Sequence, residues 1–573
     1  MFPRPRMGLW SGYAGVRGER VRPVELNANQ APSEEELGIA EPGESGEEWP
    51  LHVKRVGTID VEKVLSIDTP FKELTREAFR WLLTADYYGE PITSVRETKF
   101  SDEDWEKLCQ FAKVEPHEGT VWGYVAGFWV REVAKRRRRP IFEPGLNRCC
   151  NEERLPTLEY PSRLERRTRA RNKYVRNFDC AAYFDQFAIP QHLRGYFVFQ
   201  HKGALYHLTR MPMGARFAPA VAQYCTWTLA AEVIKDFPEL VIDTMIDNLR
   251  LAANDKGTLD AAARRLEEVA ATLGITLNPG QDDSRESEFL GEMYIVDEHR
   301  GVTAVRNTGR TVDKVTRAAQ HVTAGKPTKR NFMALVSLLC YALHTVGESP
   351  VHVPALLRCA SAVAASIVHS SGWEEPMGFV GESVRGDILR VAALLRRNEP
   401  REIHELIRPG ARHGEYDATI FVDACRTGWG ALILFADETV ELREGWSTSI
   451  PSSAFAEPYG AARAVKFAMS RLQAGAKVAL VTDHTPICIA QRKWYSAWGG
   501  VGRGTALNQM FQGLAPYDVA VWYIAGEKNP ADTASRATTI GMPMSIRRVN
   551  LILPPLEECY HPYREKRREF IVG

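Results

Sequence analysis

The 573-residue chain contains no uninterrupted apolar run of about 18 residues, so no hydrophobic membrane-spanning helix is expected. Cysteine is scarce: the 10 residues form no CxxC pair and no Cys/His ladder, which excludes a zinc ribbon or finger. Cys149 and Cys150 are adjacent and poorly placed to bridge each other. All the cysteines are therefore expected to be reduced thiols of an intracellular protein, cytoplasmic or nuclear. Charge of one sign is lacking too: 73 Lys and Arg face 72 Asp and Glu, a formal net charge of +1. The total therefore carries no signal for a polyanionic partner. There is no internal repeat. Nothing in the sequence speaks to oligomeric state.

What is present is ordinary globular composition, 44% hydrophobic and 25% charged, in a chain too long for one core. Charge is locally clustered even though it cancels globally. Lys135 to Arg139 form one basic block, and Arg163, Arg166, Arg167, Arg169, Arg171 and Lys173 form a second. Such runs are often solvated faces, but local patches also bind phosphate whatever the sum of charge elsewhere. Residues 1–50 are rich in Pro, Gly, Glu and Arg without periodicity, and are expected to be disordered. Their first twenty or so residues hold several Arg and one acid, Glu19, a weak echo of an organelle presequence. Helical stretches are expected at Phe71 to Leu83 and Asp102 to Lys113, then alternating strands and helices over 136–300. A mostly helical stretch comes next over 311–370, then a loop-rich joint around Pro400 to Arg412, and a fresh α/β pattern from Tyr416 to Arg536.

Three segments carry the first chemistry. VRNFDCAAYFDQFAIP, from Val175 to Pro190, reads as a strand ending at Asp179. Alone, an Asp there is a turn or cap residue as readily as a metal ligand. MPMGARFAPAVAQ, from Met211 to Gln223, is a Pro/Gly loop leading into a helix, with Pro219 in the tolerant first turn. VIDTMIDNLRLA, from Val241 to Ala252, reads as a hairpin turning at Asp247-Asn248.

In order and spacing the three resemble motifs A, B and C of reverse transcriptases. Motif B, P-x-G-x-R-x-A-P-x-x-x-Q, is matched by Pro212, Gly214, Arg216, Ala218, Pro219 and Gln223. LGITLNP from Leu273 and FLG from Phe289 resemble motifs D and E, and RRPIFEPGLN from Arg138 resembles the segment that contacts the incoming triphosphate. The resemblance covers about 136–300 with ordered motifs. It implies a two-metal nucleotidyl transfer with Mg²⁺, or Mn²⁺ as substitute, held by Asp179 and Asp247. Arg138 would hold the γ-phosphate, with Arg139 as alternative. Cys180, Phe184, Met213 and Gln223 would shape the nucleotide pocket, and Phe184 would exclude a ribose 2′-hydroxyl and so favour dNTPs. Two departures stand out. Motif C usually carries a second Asp where this chain has Asn248, and no Lys follows the motif D L-N-P.

A second constellation lies downstream. ATIFVDACRTGWGALILF, from Ala418, gives a strand with Asp423, a turn and another strand. Ser452 and Ser453 cap a helix carrying Glu457, KVALVTD ends at Asp483, and WYIAGEKNPADTASR holds Asp532. Asp, Glu, Asp and a late Asp in this order resemble the four acids of RNase H, and N-P-A-D-x-x-S-R resembles the endings of LTR-type and tyrosine-recombinase retroelements. No His is placed as a proton shuttle.

The resemblance implies an α+β multidomain chain: a right-hand polymerase followed by an RNase H-like α/β domain. Its parts would be a disordered 1–50, a helical extension over 51–135, fingers and palm over 136–302, a thumb over 303–370, a connection over 371–415, RNase H over 416–540 and a tail over 541–573. Its partners would be an RNA template, a DNA primer, an RNA/DNA hybrid and dNTPs, with no membrane. Asn248 and the divergent N-terminal part incline the resemblance towards the DIRS/VIPER-like branch. The rival class is a domesticated nucleic-acid-binding scaffold without catalysis; a third reading keeps RNase H active beside an inert polymerase.

Overall fold

The computed structural model describes residues 49–90, 95–111, 113–132, 135–158, 160, 166, 172–282, 286–297, 299, 301–346, 353–367, 370–378, 380–403, 412–473, 476–491, 506–507, 509–510, 514 and 518–559. The N-terminal segment to residue 48, most of the second basic run and the basic stretch Arg564 to Arg568 lie outside them. The chain divides into two compact units. Of the described residues, one unit holds those from 49 to Arg306 with 402–403; the other holds those of Asn307–Arg401 and those from 412 to 559. Among the described residues no helix is long and apolar enough to cross a membrane. All ten cysteines are free thiols.

The first unit centres on an antiparallel sheet of four strands in the order Val241–Met245, Asn248–Ala253, Tyr174–Asp179 and Gln281–Asp282. Met245 pairs with Asn248, so Ile246 and Asp247 form a two-residue turn. Two helices share a core with this sheet, Ala218–Asp236 and Lys256–Thr272. The first is buried on nearly every side, because its Ala, Thr and Cys side chains let neighbours approach closely, and Pro219 falls in its first turn where no N–H is missed. The second starts at Asp255, whose carboxylate accepts the Thr258 N–H. A β-ribbon pairs Val125–Glu132 with Arg137–Pro144. Its second strand alternates strictly, burying Arg138, Pro140, Phe142 and Pro144 on one face.

The second unit begins with four helices, Gly309–Ala324, Lys329–Thr345, Pro354–Ala365 and Glu382–Arg397, around one apolar core. The expected boundary near 370, with a connection over 371–415, cuts this bundle short. Its fourth helix lies inside that stretch, burying Val384, Ile388, Val391 and Leu395 at helical spacing.

A six-stranded sheet comes next, in the order Asp518–Tyr523, Lys477–Thr482, Ala418–Ala424, Gly428–Leu434, Thr439–Gly445 and Ser545–Val549. The first three strands are parallel and the rest antiparallel. Every residue of Ala418–Ala424 is buried, as expected of a central strand covered on both faces. Ile420 and Val422 face the helix Ser453–Met469; Phe421 faces a second core with Trp522 and Leu556. The edge strand Ser545–Val549 falls in the stretch expected to be a tail, so the folded sheet extends past residue 540. Its two consecutive Arg obscure any apolar alternation, and as an edge strand it needs none.

Candidate functional sites

Asp179 closes its strand and stands directly opposite Asn248, the first residue after the tight turn. The Cys180 N–H donates to the Asp247 carbonyl at 2.8 Å, so the two stretches are stitched together where the carboxylates project. Asp179 and Asp247 are thereby brought together. Burial and the neighbouring Asp179 charge push the Asp247 carboxyl up to about 6. Two amides attend the pair. Asn248 Nδ2 donates to Asp247 Oδ1 at 2.9 Å, and Asn278 Nδ2 donates to Asp179 Oδ2 at 2.6 Å. Asn278 also ties in through its backbone, its N–H donating to the Asp179 carbonyl at 2.8 Å. Sequence reasoning missed Asn278, because the family pattern directs attention past the Asn of LNP to a Lys further on.

The remaining residues expected at this site fall into distinct places. Gln223 is fully buried; its Oε1 accepts the Ile246 N–H at 2.7 Å and its Nε2 donates to Thr244 Oγ1 at 3.0 Å. It therefore braces the turn that carries Asp247. Cys180 is buried, and burial drives its thiol well above the ordinary range. Phe184 is partly buried against the unit's core, and Met213 is 37% exposed. Arg138 is 7% exposed and fully engaged. Its guanidinium makes a bidentate pair with Asp104 at 2.6 and 2.8 Å, donates to the Trp49 carbonyl and lies over Trp129. Arg139, one residue on, points to the opposite face. It pairs with Glu132 at 3.1 Å, approaches Met213 Sδ at 3.8 Å, and its charge lowers the Asp247 pKa.

The Pro/Gly loop is held against the β-ribbon. Asn147 Nδ2 donates to the Gly214 carbonyl at 2.8 Å, and Asn147 Oδ1 accepts the Arg216 N–H at 3.0 Å. A Cβ on Gly214 would lie 2.6 Å from the Phe142 carbonyl oxygen, so only glycine permits this approach.

The second site is built on the six-stranded sheet. Asp423 lies near the end of the central strand, Asp483 just past its parallel neighbour, and Glu457 in the helix packed across them. Ligand atoms of these three acids lie within 4.8 Å of one another. Asp532 starts the short helix Asp532–Arg536 and accepts Arg536 Nε at 2.8 Å; it falls outside that three-acid group. That helix still serves the site. Ser535 Oγ donates to Asp423 Oδ2. Asn529 Nδ2 donates to the Val422 carbonyl at 3.0 Å, and its side chain bonds Asp483. The helix approaches so closely that a Cβ on Gly430 would meet Ser535 N at 2.4 Å.

Burial and mutual repulsion raise Glu457 to about 9 and Asp423 to about 6, and burial raises Asp483. Glu457 Oε2 is buried without a hydrogen-bond partner. Three hard oxygen donors crowded together with one orphaned carboxylate oxygen fit a divalent cation such as Mg²⁺. The first site offers two carboxylates with amide neighbours, a set with less negative charge.

No family model matches the chain. It is 24% identical over 336 residues to Protein P of woodchuck hepatitis B virus (isolate 8), which covers 57% of this chain and 32% of the relative. Protein P of isolate w64/pWS23 is 23% identical over 332 residues, covering 57% and 50%. The chain thus spans between 32% and 50% of the length of these curated relatives. Among solved structures, a foamy viral protease–reverse transcriptase in complex with double-stranded DNA is similar at TM-score 0.44 and 12% identity, covering 86% of this chain and 85% of that one. A foamy viral protease–reverse transcriptase in complex with an RNA/DNA hybrid is similar at TM-score 0.36 and 11% identity, covering 86% and 87%. By sequence, then, more than half of this chain is similar to the Protein P of a hepatitis B virus.

Proposed function

We propose that the chain is a retroelement reverse transcriptase: an RNA- and DNA-templated DNA polymerase joined to an RNase H. The observation that carries the proposal is that one chain assembles two separate carboxylate sites, each from segments far apart in sequence. Asp179 meets Asp247 in one, and Asp423, Glu457 and Asp483 converge in the other. In this reading the Asp179 sheet is the palm, the ribbon Val125–Glu132 with Arg137–Pro144 belongs to the fingers, and the helices after Asn307 form the thumb. The domain with Asp423 is the RNase H.

Asp179 and Asp247 would hold Mg²⁺ or Mn²⁺ at the polymerase site; Asp423, Glu457 and Asp483, with Asp532 turning in, would hold it at the nuclease site. When bound there, such ions would supply the acidification of the attacking hydroxyl or water and the neutralisation of the leaving oxygen. The chain's own residues do the positioning. Asn278 and Asn248 fix the two polymerase carboxylates, and Gln223 fixes the turn. Met213 and Phe184 flank the place for a dNTP, Phe184 against its ribose. Ser535 and Asn529 orient Asp423 and Asp483, so that the RNA strand of a hybrid is cut beside them. Hybrid and primer–template are gripped through phosphates without base readout. A specific observation favours one variant reading, an active nuclease beside a weak polymerase: the first site has two carboxylates where the second has three.

Primer extension on poly(rA)/oligo(dT) with Mg²⁺ or Mn²⁺ tests the polymerase. Wild type extends and Asp179→Ala and Asp247→Ala do not; equal extension by all three ends that half of the proposal. Degradation of a labelled RNA/DNA hybrid tests the nuclease and should vanish in Asp423→Asn; its persistence would place the cleavage elsewhere.

The triphosphate ligand is Arg139 in this proposal, since Arg138 is committed to Asp104. Arg139→Ala should raise the KM for dNTP on the order of tenfold while the melting temperature stays put, the mark of a lost charge-assisted contact. Arg138→Ala strands a buried carboxylate and should cost about 3–5 kcal/mol of stability. Steady-state kinetics beside thermal melts separates the two; a dNTP defect confined to Arg138→Ala would reverse the assignment.

A further inference from the structure

We infer that Thr226 and Tyr183 form a positioning pair that aims Asp247, a role resting on the polymerase reading. The starting point is Ile246, which precedes Asp247 and has φ +54°. A β-branched residue in that region is a true outlier, and it persists only where the surroundings over-determine it. The surroundings here are specific. The Ile246 N–H donates to Gln223 Oε1, and the Ile246 carbonyl accepts Thr226 Oγ1 at 2.5 Å.

The Thr226 hydroxyl carries one proton, and a carbonyl can only accept. Of the two carbonyls in its reach, Ile246 at 2.5 Å and Ala222 at 3.0 Å, the nearer takes the larger share of that proton. The Tyr183 hydroxyl lies 2.9 Å from Thr226 Oγ1 and donates to the Ala222 carbonyl at 3.3 Å, so it holds the Thr226 hydroxyl from the other side. The result is a chain of contacts, Tyr183 Oη to Thr226 Oγ1 to the Ile246 carbonyl, whose links polarise one another in a dry interior. Thr226 is 0% exposed and Tyr183 is 3% exposed.

The chain joins three elements. Tyr183 lies four residues after Asp179 in the turn that follows its strand. Thr226 sits on the helix Ala218–Asp236, one turn beyond Gln223. The Ile246 carbonyl belongs to the planar peptide whose nitrogen is that of Asp247, so fixing that plane, with the Cys180 N–H holding the Asp247 carbonyl on the other side, fixes the direction in which the Asp247 side chain leaves the backbone. Gln223 holds one side of Ile246 and Thr226 the other. Neither Thr226 nor Tyr183 reaches the surface, so their effect on the reaction passes through Asp247.

The test compares wild type with Thr226→Val, Thr226→Ser and Tyr183→Phe in primer extension on poly(rA)/oligo(dT), titrating dTTP and Mg²⁺. Hydrogen–deuterium exchange of the peptide containing residues 246–248 is read in parallel. Thr226→Val keeps the shape and removes the hydroxyl. It should lower kcat by roughly 10- to 100-fold, as a small misplacement of a reacting group does, with the KM for dTTP within about twofold. It should also raise the Mg²⁺ midpoint and speed exchange at Asp247. Thr226→Ser should restore both readouts, and Tyr183→Phe should fall between.

A kcat unchanged in Thr226→Val, a defect confined to the KM, or no rescue by Ser overturns the inference. So does unaltered exchange. If wild type extends no primer while exchange responds as stated, the polymerase reading fails and the positioning of Asp247 by Thr226 stands.

Discussion

Replacing Glu457 with Gln is expected to abolish hybrid cleavage and, without divalent cations, to raise the melting temperature. The two effects have one cause. Glu457 is buried beside Asp423 and Asp483, and its carboxyl rises to about 9 from an ordinary 4.5 because charging it there is unfavourable. Between those two values the folded state holds a proton that the unfolded chain has released. The folded state thus binds more protons, and stability falls as pH rises through that window. Asp423, raised to about 6, adds a smaller loss between its ordinary 3.8 and 6. A neutral Gln donates to Asp423 at every pH. If about 2 kcal/mol of repulsion is relieved, a domain of this size gains roughly 4–8 °C. Melts in EDTA should show the gain to be larger at pH 8.5 than at pH 5. Added Mg²⁺ should stabilise wild type more than Glu457→Gln, because the cation offsets the repulsion that the variant no longer has. A variant less stable than wild type at pH 8.5, or a gain independent of pH, would refute this account of the site.

The same acids show what can be read from a sequence. Asp179, Asp247, Asp423 and Asp483 are legible because each sits at or just beyond a strand end or in a tight turn, places that local pattern reveals. Their grouping is legible only through order and spacing. What escapes is tertiary. Asn278 reaches Asp179 across 99 positions of chain, and Ser535 reaches Asp423 across 112. No local pattern marks an amide or hydroxyl for such a partner. The arginines differ, since a signal is there. In the strand Arg137–Pro144, Arg138 is in phase with Phe142 and Arg139 with Ile141 and Glu143. Period-2 alternation therefore puts Arg138 on the buried face, although a run of basic residues invites a reading by charge alone. The helix Glu382–Arg397 has a clear apolar stripe as well, but a break in the helical pattern before it hides its membership of the bundle.

Asn248→Asp is the change expected to alter the polymerase site most without dismantling it. Asn248 stands opposite Asp179 and donates its amide to Asp247. That single contact has two effects. It supplies Asp247 with a donor that favours the charged carboxylate, and it withholds a third negative charge from the cation site. An Asp at 248 removes the donor and adds the charge. Without metal, three carboxylates then crowd one end of the sheet, so Asp247 should rise above its present value of about 6. The variant should then lose stability progressively as pH rises past the ordinary carboxylate range, through the same proton linkage that acts at Glu457. With metal the balance reverses. Ligand charge sets divalent-ion affinity over decades, so the Mg²⁺ midpoint for primer extension should fall on the order of tenfold. Wild type should show a stronger preference for Mn²⁺, whose softer demands a neutral amide ligand meets better than those of Mg²⁺. Metal titrations of extension rate, with thermal melts in EDTA across pH, measure both sides. If Asn248→Asp needs as much Mg²⁺ as wild type and melts identically at pH 8.5, position 248 does not face the cations, and Asp179 and Asp247 must act with a partner from elsewhere.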